Sequence, residues 1–386
     1  MKKILLLSLS IAVLCSCGKK ESMTQIADRV YTLAAQQLKL MAPELPAGVT
    51  PVHVEADGEF IKSDAGSWVS GFYPGSLWLA YEYTKDEELK ALADRFTMDL
   101  DSLVNFEPDH DHGFRVNCSY GNAYRITGDK KYLPMIKWAA EVLADRFNPV
   151  TGCTRSWNHG KWEYPVIIDN MMNLELLFNA SSLFEDVNYD DVCNTHAMTT
   201  IRNHFRDDFS TWHLVNYSVE DGHVIGKQTV QGYADDSMWA RGESWALYGF
   251  TMMYRETQNE IYLRQACSIA DLLLSRLPED GIPYWDFDCR DIPDTYRDAS
   301  AGCVMASAFL ELAALSGNRA YREMAERQIR TLAGPGYLAQ PGEQHGFILK
   351  HSVGNLPGGD QIDVPLTYAD YYFLEALSRL AGPALK

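Results

Sequence analysis

Two short runs in this sequence combine residue types that can move protons. Asp109-His110-Asp111-His112-Gly113-Phe114 and Ile167-Ile168-Asp169-Asn170-Met171-Met172-Asn173-Leu174 each set a carboxyl among apolar or aromatic neighbours. Two carboxyls edging an apolar pocket are the usual means of general acid/base work on a glycosidic substrate. Asp111 and Asp169 are therefore the candidate catalytic pair. A carboxyl at a helix start also serves as a cap, so either aspartate taken alone reads as structural. The argument for chemistry is convergence: a third run, Trp239-Ala240-Arg241-Gly242-Glu243-Ser244-Trp245, opens a helix of the same kind. His110-Asp111-His112 has metal-binding residue types, but no further set at ligand spacing accompanies it, so no metal or other cofactor is expected. The histidines are read as hydrogen-bonding or ring-stacking groups.

The elements that must position these residues repeat along the chain. An apolar helix, a turn of the Thr-Gly-Asp kind and an amphipathic helix recur at roughly 55 to 70 residues. The pairs are 77–86 with 88–96, 119–125 with 132–147, 170–184 with 189–205, 243–255 with 261–277, and 302–315 with 321–332. The final stretch, 368–380, would pair with the N-terminal helix at 23–41. First helices are rich in Ala, Leu, Trp and Tyr on nearly all sides, as an inner wall requires, and second helices alternate charge with apolar residues. The spacing predicts an all-α fold, an (α/α)6 toroid of six hairpins. The competing arrangement is an open solenoid, which needs capping repeats and would not bring the first and last helices together.

Met1-Lys2-Lys3, an apolar run over 4–13 and Leu14-Cys15-Ser16-Cys17 read as a signal peptide over 1–16, too short to remain as a membrane span. Leu-x-Ser-Cys resembles the lipobox of bacterial lipoproteins. Cys17 is then the acylated first residue, 17–22 a tether and 23–386 a single catalytic domain. The expected location is the periplasm, with membrane contact only through the lipid anchor; the alternative is an ordinary cleaved signal peptide. A formal net charge of -18 argues against nucleic acid and against electrostatic capture of long polyanions. An anionic substrate would instead have to be met locally, inside a pocket. The 21 Tyr and 9 Trp suit sugar stacking and helix packing alike. Cys118, Cys153, Cys193, Cys267, Cys289 and Cys303 include no Cys-x-x-Cys pair, which fits buried core thiols better than zinc, although export permits a disulfide.

Several runs carry a resemblance that periodicity does not supply. His110-Asp111-x-Gly113-Phe114, Asp169-Asn170-Met171-Met172-Asn173-Leu174, Gln231-Gly232-Tyr233-x-Asp235-Asp236-Ser237, Trp239-Ala240-Arg241-Gly242-x-x-Trp245 and Asp370-Tyr371-Tyr372-x-Leu374-Glu375-Ala376 resemble the unsaturated glucuronyl hydrolases of glycoside hydrolase family 88, in the family's order. The resemblance implies an (α/α)6 barrel, no metal, and hydration in place of direct displacement. The implied substrate is an unsaturated uronic-acid oligosaccharide left by a lyase, of glycosaminoglycan type. Asp169 matches the family's general acid/base and Asp111 its second aspartate. His213, Gln231, Trp239, Arg241 and Trp245 match substrate-pocket positions, with His110 beside them.

On this reading the apolar stretch Val166-Ile167-Ile168 keeps Asp169 protonated, while an ionised Asp111 favours a cationic transition state. Trp239 and Trp245 offer stacking faces; Arg241 and His213 offer charge or hydrogen bonds. Lys350 and His351, in a predicted loop over 347–355, are placed to meet a neighbouring sugar or sulfate. The chain departs from the commonest family wording at His112, Glu243 and Ser244, the last two read as lying behind the pocket. Competing readings are an unsaturated rhamnogalacturonyl hydrolase acting on pectin fragments, a sugar epimerase on the same toroid, and a glycan-binding lipoprotein without catalysis.

Overall fold

A computed structural model describes residues 21–381; the signal segment and Cys17 lie outside these. At the start of the described chain Glu21 pairs with Arg29, and Ser22 and Gln25 cap α1 (Met23–Met41) reciprocally. The remaining helices are α2 (Phe72–Thr84), α3 (Glu87–Met98), α4 (Asn122–Thr127), α5 (Leu133–Ala144), α6 (Asn170–Leu183), α7 (Asp190–Asn203), α8 (Ala240–Thr257), α9 (Glu260–Arg276), α10 (Ala299–Ser316), α11 (Arg319–Leu332) and α12 (Thr367–Ala381). A π-helical segment, Gly113–Gly121, runs directly into α4.

The even-numbered helices form the inner ring, each packed on the next, with the π-helical segment that leads into α4 making the contact with α6, and α12 packs back on α2. On the outside α1 closes the seam against α2 and α12, where the Tyr31 hydroxyl donates to the Leu374 carbonyl at 2.8 Å. The open solenoid is thereby excluded. Inner and outer helices differ as their composition requires. α10 is buried at every residue from Ala299 to Leu312, whereas α11 buries one stripe: Tyr321, Met324, Ala325, Gln328, Ile329 and Leu332. Among the described residues α10 alone is long and apolar enough to suit a membrane, yet here it is wall.

The repeat has a physical basis in its turns. After α2, α4, α8 and α10 comes one residue in the left-handed region: Lys85, Gly128, Gln258 and Gly317. Next stands Asp86, Asp129, Asn259 or Asn318, whose side chain accepts a backbone N–H from the following helical turn. The α6–α7 connection lacks this device: Phe184 is extended and Tyr189 makes no cap. Such short turns make neighbours antiparallel, so all inner helices start at one mouth of the toroid and end at the other.

Among the described residues nine short strands, absent from the sequence-based expectation, build the mouth where inner helices begin. β1 (Val49–Val54) and β2 (Phe60–Asp64) precede α2; β3 (Phe147–Asn148), β4 (Cys153–Thr154) and β5 (Pro165–Ile167) precede α6. β6 (Leu214–Tyr217) and β7 (Val224–Gln228) join β5 in an antiparallel sheet. The segment expected as a plain loop over 347–355 ends in β8 (Ser352–Asn355), which pairs with β9 (Asp360–Val364) before α12. The six cysteines among the described residues are free thiols, five of them buried.

Candidate active site

Asp169 occupies the N-cap position of α6, but its backbone is helical and its side chain caps nothing. Asp298, at the start of α10, shows the contrast by accepting from the Ser300 N–H at 2.9 Å. The capping explanation therefore fails for Asp169. Pairing of β5 with β6 brings His213 alongside, since Ile168 N–H donates to the His213 carbonyl at 3.0 Å. His213 Nδ1 accepts from the amides of Val230 at 3.1 Å and Gln231 at 3.3 Å. That assignment places the ring proton on Nε2, which lies 3.7 Å from Asp169 Oδ2. Both atoms are buried without a hydrogen-bond partner.

Burial raises the Asp169 carboxyl to about 7, against an opposing pull from Arg241. The Trp245 indole also lowers it from nearby, though outside hydrogen-bonding geometry. Burial likewise lowers His213 to about 3, so this histidine is a neutral N–H donor and supplies no charge.

Asp111 stands just before the π-helical segment, with His110 Nε2 at 3.5 Å from its Oδ2. Burial, then the neighbouring Asp109 carboxylate, then Asp169 push its carboxyl well above the usual range. Arg115 pulls the other way, but its guanidinium is held by Asp109 at 2.7 and 2.8 Å and by the Gly66 and Ser67 carbonyls. The expectation of an ionised Asp111 meets an opposing push: a buried acid between two carboxyls, its nearest cation engaged elsewhere, is driven toward its protonated form. His110 is neutral too, lowered to about 3 by burial.

The influence of Asp169 on Asp111 puts the two carboxyls within electrostatic reach of each other. Asn173 couples their segments: its Oδ1 accepts from Phe114 N–H at 2.9 Å, and its Nδ2 donates to the Asp169 carbonyl at 3.4 Å. Gly113 makes this approach possible, because a Cβ there would lie 2.5 Å from Asn173 Cα.

The other expected site residues divide. Gln231 is half-buried, bonded to the Gly354 carbonyl at 3.1 Å. Trp245 is fully buried against Phe114 and Tyr372, and Trp239 is covered by the His213 ring and the Arg241 guanidinium. Their expected stacking faces are therefore occupied by protein, and both are wall. Arg241 is 1% exposed; it bonds Asp298 and the Val353 and Gly354 carbonyls, tying β8 to the wall. Its charge reaches Asp169 and His213 through space. His351 pairs with Asp363 at 2.8 Å, and its carbonyl accepts from Ala299 N–H at the start of α10. Lys350 makes no ion pair among the described residues. Glu243 and Ser244 are fully buried, Glu243 receiving the Thr211 amide and hydroxyl behind His213.

His112 turns from Asp111 to the Asp109 carbonyl and Trp138, which breaks up the metal-like run. Among the described residues the grouping spaced for an ion is His53, Glu55 and Asp360, with neither catalytic candidate in it. Two half-exposed rings were missed: Trp68, beside Phe114 and Tyr368, and Trp157, beside His110. Each stands in a Gly/Ser/Asn-rich loop, Trp157 with Trp162 packed edge-on against it, which was the available signal.

A closed ring of helical hairpins presenting two buried carboxyls at one mouth, both pushed above the usual carboxylate range, defines a toroidal glycosidase. The chain belongs to Glycosyl Hydrolase Family 88, whose profile matches residues 49–379. An unsaturated glucuronyl hydrolase of Formosa agariphila is 42% identical over 330 residues, 84% of this chain and 82% of that protein. One from Bacillus sp. strain GL1 is 34% identical over 90% of this chain and 94% of its own. The crystal structure of an unsaturated glucuronyl hydrolase specific for heparin superposes with a TM-score of 0.90 at 44% identity, covering 92% of this chain and 97% of that one. An aspartate-to-asparagine mutant from Streptococcus agalactiae complexed with dGlcA-GalNAc6S gives 0.81 at 28% identity, covering 94% and 92%.

Proposed function

We infer that this chain removes a 4,5-unsaturated uronic acid from the non-reducing end of lyase-generated oligosaccharides of glycosaminoglycan type, by hydrating the C4=C5 bond. The observation that carries the reading is Asp169, a buried carboxyl raised to about 7 with an unpartnered oxygen facing a neutral histidine N–H. The double bond belongs to an enol ether, so a proton delivered to C4 leaves an oxocarbenium-like centre at C5. Water adds there and returns one proton to the Asp169 carboxylate. The C5 hemiketal then opens and the leaving sugar departs, with no attack at the anomeric carbon. One group near pH 7 can give and then take back a proton, which a freely solvated aspartate does poorly.

Asp111, holding its proton, donates a hydrogen bond to a substrate hydroxyl. Two neutral acids also admit a uronate anion where two carboxylates would repel it. His213 steadies the Asp169 carboxylate each time it forms. The test is loss of the unsaturated uronate's ultraviolet absorbance across sulfated and unsulfated disaccharides from chondroitin, heparin and pectin lyases. Turnover confined to the pectin product would reassign the substrate, and absorbance unchanged on every member would leave a binding protein.

We further propose that residues 1–16 are removed on export and that Cys17 carries the lipid anchoring the enzyme in the periplasm. Leu14-Cys15-Ser16-Cys17 supports this. Mass spectrometry of the mature N-terminus checks it: an unmodified residue at the start refutes the anchor.

A further inference from the structure

Asp111 and Asp169 stand on separate segments of the chain, so their spacing is set by whatever ties those segments together. Asn173 is one tie. Ser156, in the loop between β4 and β5, is a second, and it is fully buried. Its carbonyl accepts from the N–H of His110, directly before Asp111, at 3.0 Å, and its own N–H donates to the Pro165 carbonyl at 2.9 Å. Its hydroxyl accepts from Ile167 N–H at 2.9 Å and donates to Asn170 Oδ1 at 2.8 Å, so that it brackets Asp169. Both donors of a buried serine are thus spent, and each of these bonds goes to one of the two aspartate segments.

The same contacts account for the freedom of the Asp169 side chain. A carboxyl at a helix start is ordinarily consumed as a cap, as Asp298 is at α10. At α6 the start is anchored from the next residue instead. Asn170 Nδ2 donates to the Thr154 carbonyl at 2.8 Å and to its hydroxyl at 3.1 Å, while Oδ1 takes the Ser156 proton. Asn170 and Thr154 are buried too, so a lost partner there is costly. Without the Ser156 hydroxyl, Ile167 N–H and Asn170 Oδ1 are orphaned on either side of Asp169, and the turn that carries the acid must shift to recover partners.

We propose that Ser156 is a positioning residue for the hydration reaction, its hydroxyl and carbonyl together holding the Asp169 turn against the Asp111 segment at the spacing that proton delivery requires. This role rests on the reading of Asp169 as the proton donor given above. Steady-state kinetics of the full chain on an unsaturated disaccharide, with a pH profile and a melting curve for each variant, test it. Displacing a reacting group by about 1 Å costs on the order of 10²-fold, so Ser156→Ala should lower kcat by about 30- to 100-fold and leave KM within about three-fold. The falling limb of kcat/KM should also move to lower pH by about one unit, because a carboxyl released from its buried place gives up its proton more readily. The other groups that bear on Asp169, namely Arg241, Trp245, the neutral His213, Asp111 and Tyr368, are left unchanged in that variant.

Ser156→Thr, which restores the hydroxyl, should recover kcat to within about five-fold of the wild type. Ser156→Cys has nearly the shape of serine but a weak donor and acceptor, and it serves as the measure where the alanine variant does not fold, with kcat about ten-fold down and the same shift of the limb. Turnover within about two-fold of the wild type in the folded alanine or cysteine variant, a lowered kcat with the limb unmoved, or a folded Ser156→Thr no better than alanine each overturns the proposal while the hydration reading stands. Failure of both Ser156→Ala and Ser156→Cys to fold makes the residue structural and overturns it as well. A wild type inactive on every unsaturated disaccharide brings down the reading of Asp169 itself, and this role with it.

Discussion

The two mouths of the toroid are framed by the same inner helices, yet the deepest-buried acid of one is driven the opposite way from the catalytic pair of the other. Asp169 and Asp111 are pushed up, whereas Glu311, as deeply buried, is pulled down to about 2. Burial opposes ionisation at both ends, so the difference lies in partners. Glu311 receives the guanidiniums of Arg255 and Arg379. At the catalytic mouth Arg115 is engaged by Asp109 and Arg241 by Asp298 and β8 carbonyls. Protonation in this protein is set by which cations are left available, and the catalytic mouth leaves none.

That comparison breaks most visibly in turnover. Asp169→Asn should lower kcat by about 10³-fold or more, while the equivalent change at the other mouth, Glu311→Gln, should leave kcat of the folded enzyme within about two-fold. In the wild type kcat/KM should fall above about pH 7 with the loss of one proton, as Asp169 ionises.

Stability should separate the mouths next. Folded Asp169 keeps its proton up to about pH 7, whereas the unfolded chain releases it near 3.8. Wild-type stability is therefore lost as pH rises through that window, and Asp169→Asn escapes the loss. Melting of the two proteins should coincide at pH 4 and diverge to an advantage of up to about 4 kcal/mol for the variant at pH 8. Equal stability at pH 8 would remove the raised carboxyl. Glu311 has the opposite sign, contributing stability above its unfolded value of 4.5 that disappears as pH falls toward 2. Denaturant titration of Glu311→Gln at pH 7 should show a deficit of about 3 kcal/mol, because two buried guanidiniums lose a shared partner. The smallest effect sits in the turns: Gln258→Gly, at φ 54, should raise stability by roughly 0.5–1 kcal/mol, measured by thermal melting.

The frame was legible because each repeat writes its own turn: Thr127-Gly128-Asp129 and Ser316-Gly317-Asn318 announce a helix end and a cap within three residues. Asp111 and Asp169 were legible as positions, from runs too long to be chance. Their protonation was legible only for Asp169, whose apolar neighbours are adjacent in sequence. For Asp111 the deciding groups include Asp169, 58 residues on, and an arginine whose prior engagement needs coordinates. The strands escaped notice because β5 pairs with β6 across about fifty residues and is three residues long. Trp239, Trp245 and Arg241 have the right types for sugar contact, and only packing reveals that protein already covers them.

Because α1 and α12 complete the outer seam together, the first and last helices of the described chain are neighbours. A chain missing its final helix would therefore be a horseshoe, with the flanks of α2 and α10 left bare to solvent. Loss of a C-terminal segment that lies far beyond Asp169 in sequence should abolish the fold as a whole instead of trimming one edge, and the gene should tolerate a stop codon before Thr367 no better than one near its beginning.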